Sequence, residues 1–149
     1  MKQLLLIPLF LHLNSRPNSF KEFYPTVDLM TVRVAPWTIN LQRVVYYTDT
    51  CYALQFRDQS TMSSVAIVTL DLETVEQLNY LKEGLETLKK GHHGDIAEFR
   101  NYSLKKVGTK KDNAWYILSY NGAVTNFQEA QANRIIFIIN NFIANQHNS

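Results

Sequence analysis

The segment 64–91, in which a strand-like run leads directly into a helix, constrains the fold of this chain most. Residues 65–68 form a short apolar run rich in β-branched side chains, which is typical of a buried strand. Asp71 is the predicted N-cap of the helix that follows, and Gly91 is its predicted left-handed stop. Beyond Asp71 the apolar side chains recur every three or four positions, which places them on one helix face: Leu72, Val75, Leu78, Leu81, Leu85 and Leu88.

Hydrophobic residues make up 46% and charged residues 19% of the 149-residue chain, which is typical of a globular protein. No internal repeat, low-complexity tract or linker divides it, so residues 20–149 are expected to form a single domain. The net charge is +2, but without Lys2 and Arg16 of the N-terminal segment 13 basic residues remain against 13 acidic ones. The composition therefore gives little support to a broadly basic, nucleic-acid-binding surface.

Residues 1–19 have the three-part layout of a secretory signal peptide. Lys2 supplies the positive start, residues 4–13 form a mostly apolar core, and a polar stretch follows. The core is too short to remain as a transmembrane anchor. Pro8 and His12 interrupt it, so an ordinary N-terminal element of a cytoplasmic protein is the alternative. The leading prediction is export to the periplasm, the cell envelope or the medium.

Further segments alternate in the manner of strands and are bounded by polar turns, Pro or Gly: 31–35, 38–47, 51–56, 96–107 and 114–120. The Asn121-Gly122 pair predicts a turn after the last of them. Asn126 and Glu129 have capping-box spacing, and the apolar periodicity that follows predicts a second amphipathic helix over residues 127–145. Within it, the apolar run 135–139 leaves a strand as the alternative.

These elements predict an α+β fold. Strands joined by short turns pair antiparallel. Because two amphipathic helices need an apolar sheet face to cover, we expect both to pack on the same side of the sheet. The predicted architecture is an antiparallel sheet of roughly five to six strands with two amphipathic helices on one face.

Candidate catalytic and metal-binding groups are few. His92 and His93 lie next to each other near Asp95, but adjacent His side chains on an extended segment point apart and chelate one ion poorly. Cys51 could act as a nucleophile with one of these His side chains as base. A lone Cys among apolar neighbours is more often a small buried hydrophobe, and the five scattered glycines form no phosphate-binding loop. The sequence therefore predicts no catalytic residue, metal site or cofactor.

Basic and aromatic side chains cluster around a predicted hairpin centred on Gly108. Basic charge interleaved with aromatic rings is the pattern of single-strand nucleic-acid binders, and it also suits an anionic partner or membrane surface. A hairpin with a solvated tip and an aromatic body produces the same pattern without binding anything. The candidate binding residues are Lys105, Lys106, Lys110, Lys111, Trp115 and Tyr102.

The order strand, Leu- and Glu-rich helix, strand pair and final helix resembles a loose group of small exported bacterial domains of unknown function. The resemblance covers about half of the chain and implies an export context without an established activity. The residues that carry it are Leu70-Asp71-Leu72-Glu73, Leu78, Leu81, Leu85, Leu88 and Asn113-Ala114-Trp115-Tyr116-Ile117.

The leading functional hypothesis is a small exported, non-catalytic domain that binds a protein partner at the cell envelope. The first alternative is a domain that binds nucleic acid or another anionic surface through the hairpin 105–111. The second alternative is an uncharacterised enzyme. The hairpin residues separate the first two hypotheses, because reversing their charge should abolish the binding of an anion.

Overall fold

The computed structural model describes residues 26–34, 37–46, 49–63, 65–108 and 114–147. The signal peptide predicted for residues 1–19 lies outside these ranges and stays a prediction. In chain order the elements are β1 (Thr26–Val34), β2 (Trp37–Tyr46), β3 (Asp49–Arg57), β4 (Ile67–Asp71), α1 (Val75–Lys90), β5 (Ile96–Glu98), β6 (Tyr102–Val107), β7 (Trp115–Tyr120), β8 (Ala123–Gln128) and α2 (Glu129–His147).

The described strands form two antiparallel sheets of four strands each. The first sheet has the order β1-β2-β3-β4 and the second has the order β5-β6-β7-β8. The predicted α+β class is therefore confirmed, but the prediction of one sheet with five to six strands is wrong. Each sheet is a simple meander followed by a helix, so the same supersecondary pattern occurs twice along the chain.

Two features of the second sheet explain the wrong strand count. The predicted strand 96–107 bends at Arg100 and Asn101, so that β5 pairs back against β6. Residues 123–128 form β8, which their mixed polarity did not predict. The predicted turn before β8 is confirmed: Asn121 and Gly122 have φ angles of 49° and 79°, as a two-residue type I′ hairpin requires.

Both helices and both sheets share one hydrophobic core. We call the sheet faces that point into it the inner faces and the opposite ones the outer faces. Side chains of α1 and α2 pack against each other as well as against the sheets. The fully buried core residues include Leu41, Leu54, Phe56, Leu70, Leu78, Leu81, Leu85, Leu104, Tyr116, Leu118 and Ile139. The core joins the two meanders because each sheet alone could bury only one of its faces.

Helix α1 carries the predicted apolar face, but both of its ends differ from the prediction. Asp71 ends β4, and Thr74 is the N-cap because its hydroxyl accepts a hydrogen bond from the Gln77 amide at 3.3 Å. Gly91 caps the C-terminus in an extended conformation with φ −81°, so the predicted left-handed stop is wrong. A Cβ at Gly91 would collide with the Asp95 carboxylate, so a larger residue at this position would displace the Asp95 side chain.

Helix α2 is continuous through residues 135–139, so the predicted second helix is confirmed and the strand alternative is wrong. Its capping differs from the prediction, because Asn126 lies in β8. The Gln131 side chain instead accepts a hydrogen bond from the Gln128 amide at 3.0 Å, which is one half of a capping box shifted by two residues. Neither described helix is long and apolar enough to cross a bilayer.

A polar seam joins the two sheets where the chain leaves β3. The backbone amide of Gln59 donates to the Val124 carbonyl at 2.6 Å, and the backbone amide of Val124 donates to Asp58 Oδ1 at 3.0 Å. The Gln59 side chain donates to Thr125 Oγ1 at 3.1 Å and accepts from Asn126 Nδ2 at 2.7 Å. These bonds occupy part of the edge of β8 and hold it beside the end of β3.

Candidate binding surface

The outer face of the second sheet carries a row of apolar side chains. Alternation along β5, β6 and β7 directs Ile96, Lys105 and Ile117 to this face, and the strand register makes them direct neighbours. Trp115 lies on the same face in the adjacent row, opposite Val107. None of these side chains belongs to the hydrophobic core. These strands thus present a mixed apolar and polar surface on the side away from the helices.

Two large apolar side chains on this face are exposed to solvent. Ile96 is 54% exposed and Trp115 is 38% exposed, while Ile117 is half-buried between neighbouring strands. Single exposed apolar residues are ordinary, but these two lie on the same sheet face, where Lys105, Val107 and Ile117 stand between them and complete a mixed patch. Such a patch is the usual mark of an interaction site.

The described residues of this face carry one cation and one anion. Lys105 and Glu98 are exposed on the adjacent strands β6 and β5. Glu98 is opposite Ser103, and Lys105 is opposite Ile96, which places the two charged residues diagonally across the strand pair. The net charge of the described part of this face is therefore close to zero.

Of the predicted binding residues, the structure brings Lys105 and Trp115 together on this face. Their positions are diagonal neighbours on β6 and β7, because Lys105 is opposite Ile117 and Val107 is opposite Trp115. Side chains at such positions are within reach of each other when one is long or aromatic. Lys110 and Lys111 lie outside the described residues.

Lys106 is on the inner face, where it is only 7% exposed. Its Nζ donates to the carbonyl oxygens of Lys89 and Gly91, each at 2.9 Å. These carbonyls lie at the C-terminus of α1, where a positive charge is stabilising because of the helix dipole. Lys106 therefore closes the end of a helix, and its charge is directed away from the outer face.

Tyr102 is also on the inner face and is 4% exposed. Its ring stacks on Phe99 with a centroid distance of 4.4 Å. A Cβ at Gly84 would lie 2.5 Å from Phe99 Cζ, so glycine at this position of α1 makes room for the stacked pair. The Tyr102 hydroxyl has no hydrogen-bond partner in the part of the chain that the structure describes, and burial raises the pKa of Tyr102.

An open cleft lies at the end of the second sheet, where the bend before β6 meets the β7–β8 turn. It has a volume of about 440 Å³, and its lining includes Phe99, Tyr102, Ser119, Tyr120 and Asn121. The sequence pattern did not predict this cleft, because it depends on two turns that are distant along the chain. It borders the outer face at Ser103 and Ser119, which are opposite each other on β6 and β7.

A polar cluster, buried at Tyr116 and Glu129 and exposed at Asn133, fixes the start of α2. The Tyr116 hydroxyl donates to the Glu129 carboxylate, and burial together with this bond raises the pKa of Tyr116. Lys89 Nζ lies 3.8 Å from Glu129 Oε1 and donates to Asn133 Oδ1. The cluster links β7, α1 and α2 on the core side, and it has no access to the outer face.

Asp71 is the acidic group whose titration is most clearly changed by the fold. Burial raises its pKa to about 6, although the Glu73 amide donates to Asp71 Oδ1 at 3.2 Å and partly offsets the effect. The carboxylate in turn contributes to the raised pKa of Tyr120, after burial. Asp71 thus lies near the end of β7 as well as at the end of β4.

The groups considered for catalysis take part in local structure. His93 Nδ1 accepts a hydrogen bond from the Gly108 amide at 2.9 Å, and the His92 amide donates to the Asp95 carboxylate at 2.6 Å. Cys51 packs beside Val44. Among the residues that the structure describes, no group of three or more His, Cys, Asp or Glu side chains is placed to hold a metal ion.

Comparison with known proteins identifies no relative of this chain. No protein-family model matches the sequence, and neither the curated proteins nor the solved structures gave a match. The resemblance to small exported bacterial domains therefore stays a prediction, and function must be argued from the surface itself.

Proposed function

We propose that the protein is a small exported, non-catalytic binding domain that engages a protein partner at the cell envelope through the outer face of the second sheet. The observation that carries the proposal is the joint exposure of Ile96 and Trp115 on a sheet face away from both helices. Burying such a face against a partner removes apolar surface from water. Trp is also among the residues that contribute most to binding energy at interfaces.

The charge of this face supports a protein partner more than a nucleic acid. Non-specific nucleic-acid binding needs several cations along one surface. Of the four lysines in the basic hairpin, Lys106 is turned inward to cap α1, and Glu98 offsets Lys105 on the outer face. A neutral apolar patch with a polar border is typical of protein interfaces.

Nucleic-acid binding is the second candidate, favoured by the proximity of Lys105 to the exposed Trp115. It would combine a phosphate contact with base stacking on the indole. Fluorescence anisotropy with a labelled single-stranded oligonucleotide tests it, using Lys105→Glu together with Lys110→Glu. Binding that is lost on this charge reversal would support the second candidate, and binding that is unchanged would exclude the hairpin as its site.

Site-specific photo-crosslinking tests the protein-partner proposal. A benzophenone amino acid replaces Trp115 in the full-length chain expressed in its native host, and the matched control replaces Phe137. Phe137 is 63% exposed on α2, so it is at least as accessible but lies outside the outer face. We expect a discrete protein adduct from position 115 and none from position 137. The absence of an adduct at 115, or equal adducts at both positions, would contradict the proposal.

Export is tested separately by the intact mass of the protein recovered from each cell fraction. Loss of a segment ending near residue 19, with the product outside the cytoplasm, is the expected result. An intact N-terminus in the cytosolic fraction would contradict export and leave the binding face unaffected.

A further inference from the structure

We propose that the partner on the outer face of the second sheet is a second copy of this chain, related by a two-fold axis. This inference rests on the proposed function, because it names the occupant of the same surface. A two-fold interface places one surface patch against itself, so the patch must be complementary to itself in shape and charge. The outer face of the second sheet meets the charge requirement.

The outer face is complementary to itself in charge because it carries both Lys105 and Glu98. They carry opposite charges on neighbouring strands of the same face. Neither side chain makes an ion pair or hydrogen bond within the part of the chain that the structure describes. In a two-fold arrangement Lys105 of one copy faces Glu98 of the other, and the symmetry repeats this contact. Both charges that this face presents are thereby paired.

The apolar part of the face suits a sheet-to-sheet contact. Ile96 and Ile117 flank Lys105 in one cross-strand row, and Trp115 stands in the next row. Flat antiparallel sheet faces pack against each other through such interdigitating rows, which is how two-layer β-sandwiches form their cores. The second copy would supply the layer that the helices supply on the inner face.

The edges of the second sheet are less suited to self-association than its face. At one edge, β8 is engaged by Gln59 and Asp58 through the polar seam. At the other edge, β5 has only three residues, Ile96–Glu98. A strand this short offers few backbone groups for strand addition, so a second copy gains more from the face.

The test is a charge-swap series measured by analytical ultracentrifugation over protein concentrations up to about 1 mM. The full chain is compared with Lys105→Glu, Glu98→Lys and the double variant that carries both. We expect the wild type to dimerise reversibly and each single variant to weaken dimerisation by at least about tenfold, because like charges then face each other. The double variant should recover to within about threefold, because the pairs are restored with their signs exchanged.

Lys82→Glu is the matched control, because Lys82 lies on α1 and outside the outer face. It should dimerise like the wild type, and circular dichroism confirms that each variant is folded. A wild type that stays monomeric, or a double variant as weak as the singles, overturns the second-copy proposal. Photo-adducts at position 115 separate the two proposals: an adduct of twice the chain mass supports the second copy. An adduct with a different protein supports the proposed function and overturns the second copy.

Discussion

On the outer face of the first sheet several polar side chains are buried, whereas on the outer face of the second sheet two large apolar side chains are exposed. On the first sheet the outer positions include Gln42, Gln55 and Thr69, which are 1%, 6% and 5% exposed. On the second sheet they include Ile96 and Trp115, which are 54% and 38% exposed. A reader of the sequence alone would assign the amide-bearing face to solvent and the apolar face to the core.

On its outer face the first sheet is buried at Gln42, Val44, Ala53, Gln55 and Thr69 and exposed at Ile67, whereas the second sheet is exposed there at Ile96 and Trp115. Buried amides are tolerated on the first sheet where they find partners, as Gln55 does when its Nε2 donates to Thr69 Oγ1 at 3.3 Å. Ile96 and Trp115 on the second sheet remain partly exposed to solvent in the fold of one chain.

The largest loss of stability is expected from a charged substitution at Val44, which is fully buried on the outer face of the first sheet. Val44→Asp places an unpaired carboxylate in that buried position and should lower the free energy of unfolding by more than about 4 kcal/mol. The matched change Ile96→Asp on the second sheet should alter it by no more than about 0.5 kcal/mol. Urea unfolding followed by circular dichroism measures both. Equal losses at the two positions would show that the outer faces do not differ.

The inner and outer faces of the second sheet can be compared at two adjacent lysines. Lys106→Met removes the donor to two carbonyls at the end of α1 and should cost about 2 kcal/mol of unfolding free energy. Lys105→Met should change stability by less than about 0.5 kcal/mol. The midpoint of chemical denaturation at neutral pH provides the measurement. Similar midpoints for the two variants would contradict the assignment of Lys106 as a helix cap.

Because the pKa of Asp71 in the first sheet is raised, the free energy of unfolding should depend on pH. Because its folded-state pKa of about 6 exceeds the unfolded value of about 4, the folded state binds the proton more tightly. The stability contributed by this group is therefore present below pH 4 and is lost as the pH rises from about 4 to 6. Asp71→Asn should raise the free energy of unfolding by about 2 kcal/mol at pH 8 and change it little at pH 4.

Denaturant unfolding of Asp71→Asn at both pH values checks this prediction. Asn keeps the oxygen that accepts from the Glu73 amide, so the change removes the charge with little change in shape. The same gain at pH 4 and pH 8 would indicate that the ionised carboxylate is not the cause.

The seam between the sheets gives a smaller effect. Gln59→Ala removes the side-chain bonds to Thr125 and Asn126 and should cost about 1 to 2 kcal/mol. Gln77→Ala, on the first turn of α1, is the control, because the hydrogen bond at this residue is made by its backbone amide. Thermal unfolding compares the two variants. A loss no greater than that of the control would show that the seam contributes little to the association of the sheets.

The smallest effect is expected at Tyr102 on the inner face of the second sheet, and Tyr116 on the same face provides the contrast. Tyr102→Phe removes a buried hydroxyl without a described partner and should be neutral or stabilising by up to about 1 kcal/mol. Tyr116→Phe leaves the Glu129 carboxylate without its donor and should destabilise by about 1 to 3 kcal/mol. Calorimetric unfolding of both variants gives the sign of each change, and a destabilising Tyr102→Phe would reveal a partner for its hydroxyl.

Sequence periodicity predicted α1 and most of α2, because their apolar stripes repeat over many residues. It placed the caps wrongly, since several polar residues stand near each helix start and only the backbone path selects Thr74 and Gln128. It did not predict β8, because Thr125 and Asn126 interrupt the apolar pattern of this strand. Their polar side chains bond to Gln59 from a distant part of the chain.

The candidate binding surface was also predictable from the sequence only in part. The sequence makes Lys105, Trp115, Lys106 and Tyr102 equal candidates, because all four lie close along one predicted hairpin. Which of them reach the outer face depends on strand register, since a shift of one residue moves every side chain to the opposite face. The residue types near the hairpin do not indicate which of these side chains lie on the outer face.

The sequence by itself determined the α+β class, the two amphipathic helices and the Asn121-Gly122 turn. These features depend on local periodicity and backbone preference, which short stretches of chain contain in full. Only the tertiary structure decided that the strands divide into two sheets, that Lys106 caps a helix while Lys105 is exposed, and that Gln42, Gln55 and Thr69 on the outer face of the first sheet are buried. These outcomes depend on contacts between residues far apart in the chain, and local patterns carry no information about which distant segment will supply them.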